Sequence, residues 1–117
     1  MNNTLPAESK ASDSETAAAA TAVIITYSAN AERHVIGQII VSYNPAPAPG
    51  RLTIEDGSGV IVFDVDILVS GVTNIPFHPP IAGTPNTAMI VTLASGGGTS
   101  VGKLNVRHWL QSNTEYL

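Results

Sequence analysis

The sequence predicts an all-β fold, a single antiparallel β-sandwich or jelly-roll-like domain with an extended N-terminal arm. Two observations lead to this prediction. From residue 23 onwards, short runs rich in β-branched residues recur at a spacing of roughly ten residues. Clusters of glycine, proline, asparagine and aspartate separate these runs, and hardly any stretch has the apolar spacing of an amphipathic helix. Regular short strands without helices between them are typical of sandwiches and jelly rolls.

Strands are predicted at 22–27, 33–43, 51–56, 60–69, 73–78, 87–94 and 100–110. The strand at 60–69 shows the clearest alternation. One of its faces is entirely apolar, which predicts a fully buried face consisting of Ile61, Phe63, Val65, Ile67 and Val69. The opposite face mixes aliphatic residues with Asp64 and Asp66. Both faces of 33–43 are apolar and are expected to be at least partly covered, and Gly37 within this strand predicts a β-bulge.

Proline and glycine define the connections between the strands. Pro45, Pro47 and Pro49 alternate with alanine and predict a stiff extended loop, whose prolines cannot donate hydrogen bonds. The Asp-Gly-Ser-Gly run at 56–59 predicts a hairpin turn. The proline-rich segment 75–87 can form few ladder hydrogen bonds, so it is expected at the edge of a sheet or outside it. Such an edge either prevents aggregation or presents a preorganised contact surface, and the sequence leaves both alternatives open.

Length and composition limit the class of protein. The 117 residues suffice for one compact domain, in which residues 1–22 form the arm and residues 23–117 the sandwich. Five basic against nine acidic residues give a net charge of −4, which argues against nucleic acid because phosphate binding needs clustered Lys and Arg. No apolar run approaches the roughly 18 residues of a membrane helix. The chain has no cysteine for a disulfide, a thiolate metal site or a nucleophile.

The charge content is low. Only 12% of the residues are charged, against about 25% in an ordinary soluble domain, so small polar residues or another protein must cover part of the surface. The arm contains only Met1 and Leu5 as large apolar residues and cannot by itself offset its ordering entropy. It is expected either to be disordered in an isolated monomer or to become ordered against a neighbouring subunit.

Two patterns that resemble catalytic motifs are better explained structurally. Residues 97–103 have the spacing of a phosphate-binding loop, but Leu104 stands where that loop needs Ser or Thr. An alternating strand follows instead of the helix that would hold the phosphate. Asp64 and Asp66 share one face of one strand, whereas a catalytic carboxyl pair needs distinct environments that separate the two pKa values. Both carboxylates are therefore expected on the solvated side.

The histidines and aromatic residues do not predict a metal-binding or sugar-binding site either. His34, His78 and His108 are far apart in sequence, and no pair has the spacing of a zinc site, so each is expected to be a packing residue with one hydrogen bond. A sugar-binding module would stack its ligand on exposed rings such as Trp109, but no two aromatic residues form an evident platform. No catalytic, metal-binding or cofactor-binding residue is assigned, and the chain is not expected to be an enzyme.

Two stretches resemble small virion structural proteins of tailed phages. The first, 52–63 (LTIEDGSGVIVF), is a strand that ends in Asp-Gly and a small residue and is followed by a second strand. The second, 75–89 (IPFHPPIAGTPNTAM), matches the family pattern Phe-x-Pro-Pro-Leu-x-Gly-Thr-x-Asn-Thr, with Ile81 in place of Leu. The resemblance covers about residues 33–109 and leaves out the arm.

The resemblance implies a capsid decoration or cement protein that stabilises the phage head by binding the lattice of the major capsid protein. It implies a place on the capsid surface of the virion, after assembly in the host cytoplasm, and a homo-oligomer with a trimer favoured. Nucleic acid, membrane and cofactor are not expected as partners. A head-fibre, tail or baseplate component and a carbohydrate-binding host-attachment module remain as alternatives. The residues expected at the interface are Leu5, Pro6, Pro45, Pro47, Pro49, Pro76, Phe77, Pro79, Pro80, Pro85 and Asn86.

Overall fold

In the computed structural model, which describes residues 12–16 and 21–112, the chain forms two antiparallel four-stranded sheets packed together. Its strands are β1 (Ser12–Thr16), β2 (Val23–Tyr27), β3 (Arg33–Asn44), β4 (Gly50–Asp56), β5 (Ile61–Ile67), β6 (Gly71–Ala82), β7 (Met89–Leu93) and β8 (Val101–Gln111). These two ranges contain no helix, and so none long and apolar enough to cross a membrane. The predicted all-β sandwich is confirmed.

The strand order is that of a jelly roll. Sheet A has the order β1-β8-β3-β6 and sheet B the order β2-β7-β4-β5. The first strand pairs with the last, the second with the seventh, the third with the sixth and the fourth with the fifth. The chain is thus one long hairpin, rolled up so that successive strand pairs alternate between the sheets. An eight-stranded double sheet of this kind is a jelly roll.

The sequence did not predict β1. Each of the seven predicted ranges overlaps one of the other strands, although β6 is twice as long as predicted. In contrast, β1 lies within the predicted arm and pairs with β8 from Ser12 opposite Arg107 to Thr16 opposite Lys103. Its sequence, SDSET, has no apolar residue to signal a buried face. The expected disorder of the arm is therefore wrong for these five residues, which backbone pairing with β8 adds to the edge of sheet A.

The core lies between the inner faces of the two sheets and is mainly aliphatic. Tyr43 is its largest fully buried side chain, and its hydroxyl donates a hydrogen bond of 2.6 Å to the carbonyl oxygen of Ala94. Glycines surround the ring, because a Cβ atom added at Gly50, Gly96 or Gly102 would contact it. The Tyr43 ring therefore determines how closely the chain segments at Gly50, Gly96 and Gly102 approach one another.

The predicted bulge at Gly37 is confirmed. The register of β3 shifts between Ile36 and Gln38 towards both of its neighbours, β6 and β8. Gly37 also makes room for a side chain on β8, since a Cβ atom at this position would lie 2.7 Å from Cζ3 of Trp109. Both faces of β3 are at least partly covered along most of its length, as predicted.

Replacing Gly37 with alanine is expected to displace the Trp109 ring. Because Trp109 is only half-buried and can tilt, we expect a loss of about 1 kcal/mol in the free energy of unfolding. Trp109 is the single tryptophan of the chain, so a shift in the maximum of intrinsic fluorescence reports its displacement directly. Gly59→Ala is the control. The positive φ angle of Gly59 makes alanine destabilising there, but the new Cβ would have nothing within 4 Å, so the spectrum of the folded variant should be unchanged. An unchanged spectrum for the Gly37 variant would place the ring elsewhere.

The predicted hairpin turn and proline loop are also present. The Val60 N–H donates to the carbonyl oxygen of Gly57 at 3.0 Å, and Gly57 and Gly59 both have the positive φ angles that a tight turn requires of glycine. In the loop 45–49, the N–H of Ala48 donates to the carbonyl oxygen of Gly96 at 3.0 Å, which attaches the loop to the connection between β7 and β8.

The strands β5 and β6 lie at neighbouring edges of the two sheets, where Phe63 and Phe77 pack edge to face with ring centroids 4.9 Å apart. The segment 75–87 therefore begins on an edge strand, one of the two places expected for it. The predicted fully buried face of 60–69 is confirmed only at Ile67. Phe63 and Val65 are half-buried, and Ile61 and Val69 are 46% and 57% exposed. An edge strand has cover from one side only, and β5 ends before Val69.

Candidate functional site

The residues predicted at the interface lie in separate regions. Leu5 and Pro6 are outside the described residues. The loop 45–49 follows the end of β3, whereas the loop 83–88 lies by its start, where the Gly83 N–H donates to the carbonyl oxygen of His34 at 2.7 Å. These two loops are at opposite ends of the sandwich, and the edge strand β6 runs between them.

Most of these residues are accessible, and two are not. The exposed members are Pro45, Pro49, Pro76, Pro79, Pro80 and Asn86. Pro85 is half-buried. Pro47 and Phe77 are buried, and Phe77 packs against Phe63 in the core. In the isolated chain, Pro47 and Phe77 are therefore not part of an accessible contact surface.

A cleft of about 480 Å³ opens on the outer face of sheet A beside the edge strand β6. We call it the Trp109 cleft; six of its lining residues are Gln38, Pro76, His78, Pro80, Arg107 and Trp109. The bulge at Gly37 forms its floor, and Gln38 is held by a hydrogen bond of 2.6 Å that its side-chain amide donates to Asn74. The cleft therefore combines an aromatic ring, rigid prolines and the cationic side chain of Arg107.

Large apolar side chains are exposed along another part of the surface. Among the described residues, six of the seven that stand out lie between positions 60 and 72, and we call them the apolar edge. They are Val60 (56% exposed), Ile61 (46%), Val62 (47%), Leu68 (67%), Val69 (57%) and Val72 (73%). The first three lie at the start of β5, and the other three lie beyond its end and at the start of β6. The seventh, Ile24, is 56% exposed and lies on β2 at the opposite edge of sheet B. Exposed apolar groups of this kind mark surfaces that contact a partner.

The outer faces of the two sheets carry opposite charge. The outer face of β4 and β5 has three carboxylates, Glu55, Asp64 and Asp66, and one cation, Arg51. Arg51 binds Asp64 through two hydrogen bonds of 2.8 and 2.9 Å and thereby lowers the pKa of Asp64. Both aspartates are exposed, as predicted, and the pair contributes little to stability because water surrounds it.

On sheet A the exposed face of β8 instead presents Lys103 and Arg107. Lys103 lies within β8, which agrees with the rejection of a phosphate-binding loop at 97–103. The two sheets thus give the sandwich an acidic and a basic side, although the chain as a whole carries a net charge of only −4.

Sequence reasoning missed a buried polar cluster beside β1 and β2. Nδ1 of His34 and Nε2 of His108 lie 2.8 Å apart, although 74 residues separate them in the chain. The ring of Tyr27 stacks on His108 with centroids 3.7 Å apart, and its hydroxyl donates to a carboxylate oxygen of Asp13 at 2.8 Å. We call these four residues the histidine cluster. No spacing in the sequence reveals it, because the jelly-roll pairing of β3 with β8 alone brings the histidines together.

The hydrogen bonds fix where the protons of the cluster lie. Nε2 of His34 is 2.7 Å from the carbonyl oxygen of Ser28, and a carbonyl only accepts, so this nitrogen carries a proton. Nδ1 of a neutral His34 is then an acceptor, and the Nε2–H of His108 donates to it. If the pair took up two protons, two donors would face each other. His34 therefore makes two hydrogen bonds, one more than we expected.

Burial keeps His108 and Tyr27 uncharged. Burial first, and the neighbouring His34 second, lower the pKa of His108 to about 4, against an opposing effect of Asp13. Burial also raises the pKa of Tyr27, and the carboxylate of Asp13 adds to this effect. At neutral pH, His108 and Tyr27 are both uncharged. Within residues 12–16 and 21–112, no three His, Cys, Asp or Glu side chains are placed to hold a metal ion.

The contacts of the histidine cluster hold β1 in place against the rest of the sandwich. Asp13 on β1 is bound through Tyr27 on β2, which rests on His108 of β8, so one chain of contacts joins the added strand to both sheets. Ser14 makes a second attachment at the surface, where its hydroxyl donates to the side chain of Asn105 at 2.7 Å. These contacts compensate for the absence of apolar residues in β1.

Replacing Tyr27 with phenylalanine is expected to loosen β1 while keeping the ring on His108. Loss of a part-buried hydrogen bond to a carboxylate costs about 1.5 kcal/mol, so the amides of 12–16 should exchange with solvent about tenfold faster. Hydrogen exchange followed by mass spectrometry measures this. The control is Ser14→Ala, which removes an exposed bond from the same strand and should change exchange far less. Equal effects of the two variants on exchange would contradict the proposed role of the histidine cluster in holding β1.

The structure thus defines an eight-stranded jelly roll with an aromatic cleft and an exposed apolar edge. No protein-family model matches the chain, and no curated protein matches it in sequence. Among solved structures, the chain is similar to one described as "Bacillus endospore appendages form a novel family of disulfide-linked pili", with 11% identity over 96% of this chain and 100% of that chain and a TM-score of 0.33.

The chain is also similar to a protein in the structure of infectious bursal disease virus, Gx strain. Here the identity is 16%, over 91% of this chain and 34% of the viral chain, and the TM-score is 0.28. Because both TM-scores lie below 0.5, neither similarity carries an argument about function.

Proposed function

We propose that this chain is a non-enzymatic structural protein of a phage virion that decorates the capsid by binding the lattice of its major capsid protein. The apolar edge is the observation that carries this proposal. Its six aliphatic side chains remain exposed at the two ends of the edge strand β5 and at the start of β6. Burial of apolar surface contributes about 25 cal/mol for each Å² removed from water, so covering this edge with a partner protein stabilises an assembly.

Three further features support an assembling role. Jelly rolls occur in viral capsid proteins, as well as in lectins and cupins, which is an argument from fold analogy alone. With 12% charged residues, few charges must be desolvated when subunits pack together. The stretches 52–63 and 75–89, which resemble tailed-phage virion proteins, correspond to the β4–β5 hairpin and to the edge strand β6 with its following loop. The resemblance therefore includes exposed edges of the sandwich.

A decoration protein acts by mass action. If it binds only the expanded lattice, its binding free energy adds to the stability of that lattice. Copies on neighbouring sites gain further through avidity. We place the protein on the capsid surface as a homo-oligomer, with a trimer first because decoration proteins often occupy three-fold positions.

The test is the copy number of the chain in purified particles of the phage that encodes it, measured by quantitative mass spectrometry. Decoration predicts a stoichiometry comparable with that of the major capsid protein. A few copies per particle would instead assign the chain to a head fibre, the tail or the baseplate. Absence from the particle would contradict the entire proposal.

One observation favours a second function, carbohydrate binding for host attachment. The Trp109 cleft places a partly exposed indole ring beside polar side chains such as Gln38, and proteins bind sugars in clefts of this kind. Binding on a glycan array that is lost in Trp109→Ala and kept in Ile24→Ser would support this function. The absence of glycan binding by the unaltered chain would reject it.

A further inference from the structure

The start of β5 carries exposed aliphatic side chains next to an acidic flank. Its three residues Val60, Ile61 and Val62 are 46 to 56% exposed and follow the tight turn of the β4–β5 hairpin. Asp64 and Asp66 follow along the same strand and are also exposed. The hairpin tip, by which we mean residues 60–62, thus consists of branched aliphatic side chains next to two carboxylates.

The Trp109 cleft has the complementary properties. It is concave, and its volume of about 480 Å³ falls within the range of roughly 300–1,000 Å³ in which proteins bind ligands. Its walls are apolar where Trp109, Pro76 and Pro80 lie, and cationic at Arg107. Exposed aliphatic side chains with an acidic flank match an apolar cleft with a cationic rim in both polarity and charge.

Electrostatics favours a contact between different surfaces of two subunits. If two β5 edge strands paired with each other about a two-fold axis, Asp64 and Asp66 would be brought near the same residues of the partner strand. Arg51 binds Asp64, but the face keeps a net negative charge, and like charges placed opposite one another are destabilising. A contact between the hairpin tip and the Trp109 cleft avoids this repulsion. Because the two surfaces differ, such a contact is heterologous and repeats from one subunit to the next.

Both surfaces lie at the same end of the sandwich. The N–H of Gly57 in the hairpin turn donates to the carbonyl oxygen of Ala88, and the N–H of Gly83 in the same loop donates to the carbonyl oxygen of His34, near the start of β3. The cleft begins three residues further along β3, at Gly37. Neighbouring subunits joined through these two surfaces are therefore shifted little along the axis of the assembly. A small shift favours a closed ring over an open filament.

We infer that the hairpin tip of one subunit binds in the Trp109 cleft of a second copy of this chain, and that the repeated contact closes a ring. This inference deepens the proposed function and rests on it in treating the chain as an assembling protein. The ring buries Val60, Ile61 and Val62 against Trp109 and brings the carboxylates of β5 to Arg107. The remaining members of the apolar edge stay available to the capsid lattice.

The test uses the full chain and three variants with exposed substitutions, in light scattering coupled to size exclusion. Val62→Asp places a carboxylate on the hairpin tip, and Arg107→Glu reverses the charge of the cleft. Ile24→Asp is the matched control, because Ile24 is as exposed as Val60 but lies on the opposite edge of sheet B. Circular dichroism checks that each variant keeps the fold of the unaltered chain.

We expect the unaltered chain and Ile24→Asp to be oligomers, and Val62→Asp and Arg107→Glu to associate at least about tenfold more weakly. The decisive sample is an equimolar mixture of the two weakened variants. Val62→Asp keeps an intact cleft and Arg107→Glu an intact hairpin tip, so the mixture should form a one-to-one complex that neither variant forms alone.

Three results would overturn the inference. These are a monomeric unaltered chain, an equal loss of association in Ile24→Asp, and a mixture that stays monomeric, because an isologous contact gives no such complementation. The copy number in particles is measured independently of self-association. Failure of the ring and failure of the proposed function can therefore be told apart.

Discussion

Replacing Tyr43 with alanine is expected to lower the free energy of unfolding by about 4 kcal/mol. The side chain is 1% exposed and is the largest that is fully buried. Its ring lies against Gly50, Gly96 and Gly102, which have no side chains to fill the space that alanine would leave. The substitution also removes the hydroxyl that donates to the carbonyl oxygen of Ala94. Urea denaturation of the purified chain measures the loss.

Tyr43→Phe separates the two contributions. It keeps the ring and removes only the hydrogen bond to Ala94, so we expect a loss of about 1 kcal/mol. If both variants cost the same, the ring would not be the centre of the packing between the two sheets. A loss below about 2 kcal/mol in the alanine variant would equally contradict the packing described for this residue.

Lowering the pH from 7 to 4 is expected to destabilise the protein through His108. The pKa of His108 is about 4 in the folded chain and 6.5 ordinarily, so between these values the unfolded chain binds a proton that the folded chain does not. This contribution is therefore complete above about pH 6.5 and is lost as the pH falls towards 4. Allowing for screening by solvent near the sheet edge, we expect a loss of about 2 kcal/mol.

Histidine variants separate this effect from that of the carboxylates. His108→Gln cannot take up the proton, so its stability should vary less between pH 6.5 and 4 than that of the unaltered chain. His78→Gln is the control, because His78 is exposed and lies outside the histidine cluster. Urea denaturation at several pH values gives the comparison. If His108→Gln kept the full pH dependence, the buried histidine pair would not be its source.

Local residue patterns predicted most of the sandwich. The alternation of apolar residues predicted seven strands, Gly37 predicted the bulge and the prolines of 75–87 were consistent with an edge strand. These features depend on backbone chemistry within a few residues of each position. The sequence could not distinguish a jelly roll from another sandwich, because the order of the strands depends on pairings between distant segments.

The errors share one physical cause. β1 has no apolar pattern, because β8 and the histidine cluster hold it in place. The apolar face of 60–69 is exposed at both ends, because nothing in the local sequence shows that β5 lies at the edge of its sheet. The pairing of His34 with His108 likewise depends on the registration of β3 with β8. In each case the neighbouring strand determines the outcome.

The candidate surfaces likewise depend on strands that are distant in the sequence. The sequence identified the prolines of β6 as interface residues, and Pro76 and Pro80 do line the Trp109 cleft. It did not identify Trp109 and Arg107 as their neighbours, because these residues come from β8 on the far side of β3. It also treated Ile61 and Val69 as buried, although both belong to the apolar edge.

The most direct test of the proposed function is binding of the purified chain to phage heads that lack it. Heads from a phage in which the gene is deleted are mixed with the protein in expanded and unexpanded form, and co-sedimentation is measured. We predict saturable binding to expanded heads, no binding to unexpanded heads and a higher temperature of head disruption once the protein is bound. If the chain fails to co-sediment with expanded heads at any concentration, it is not a capsid decoration protein.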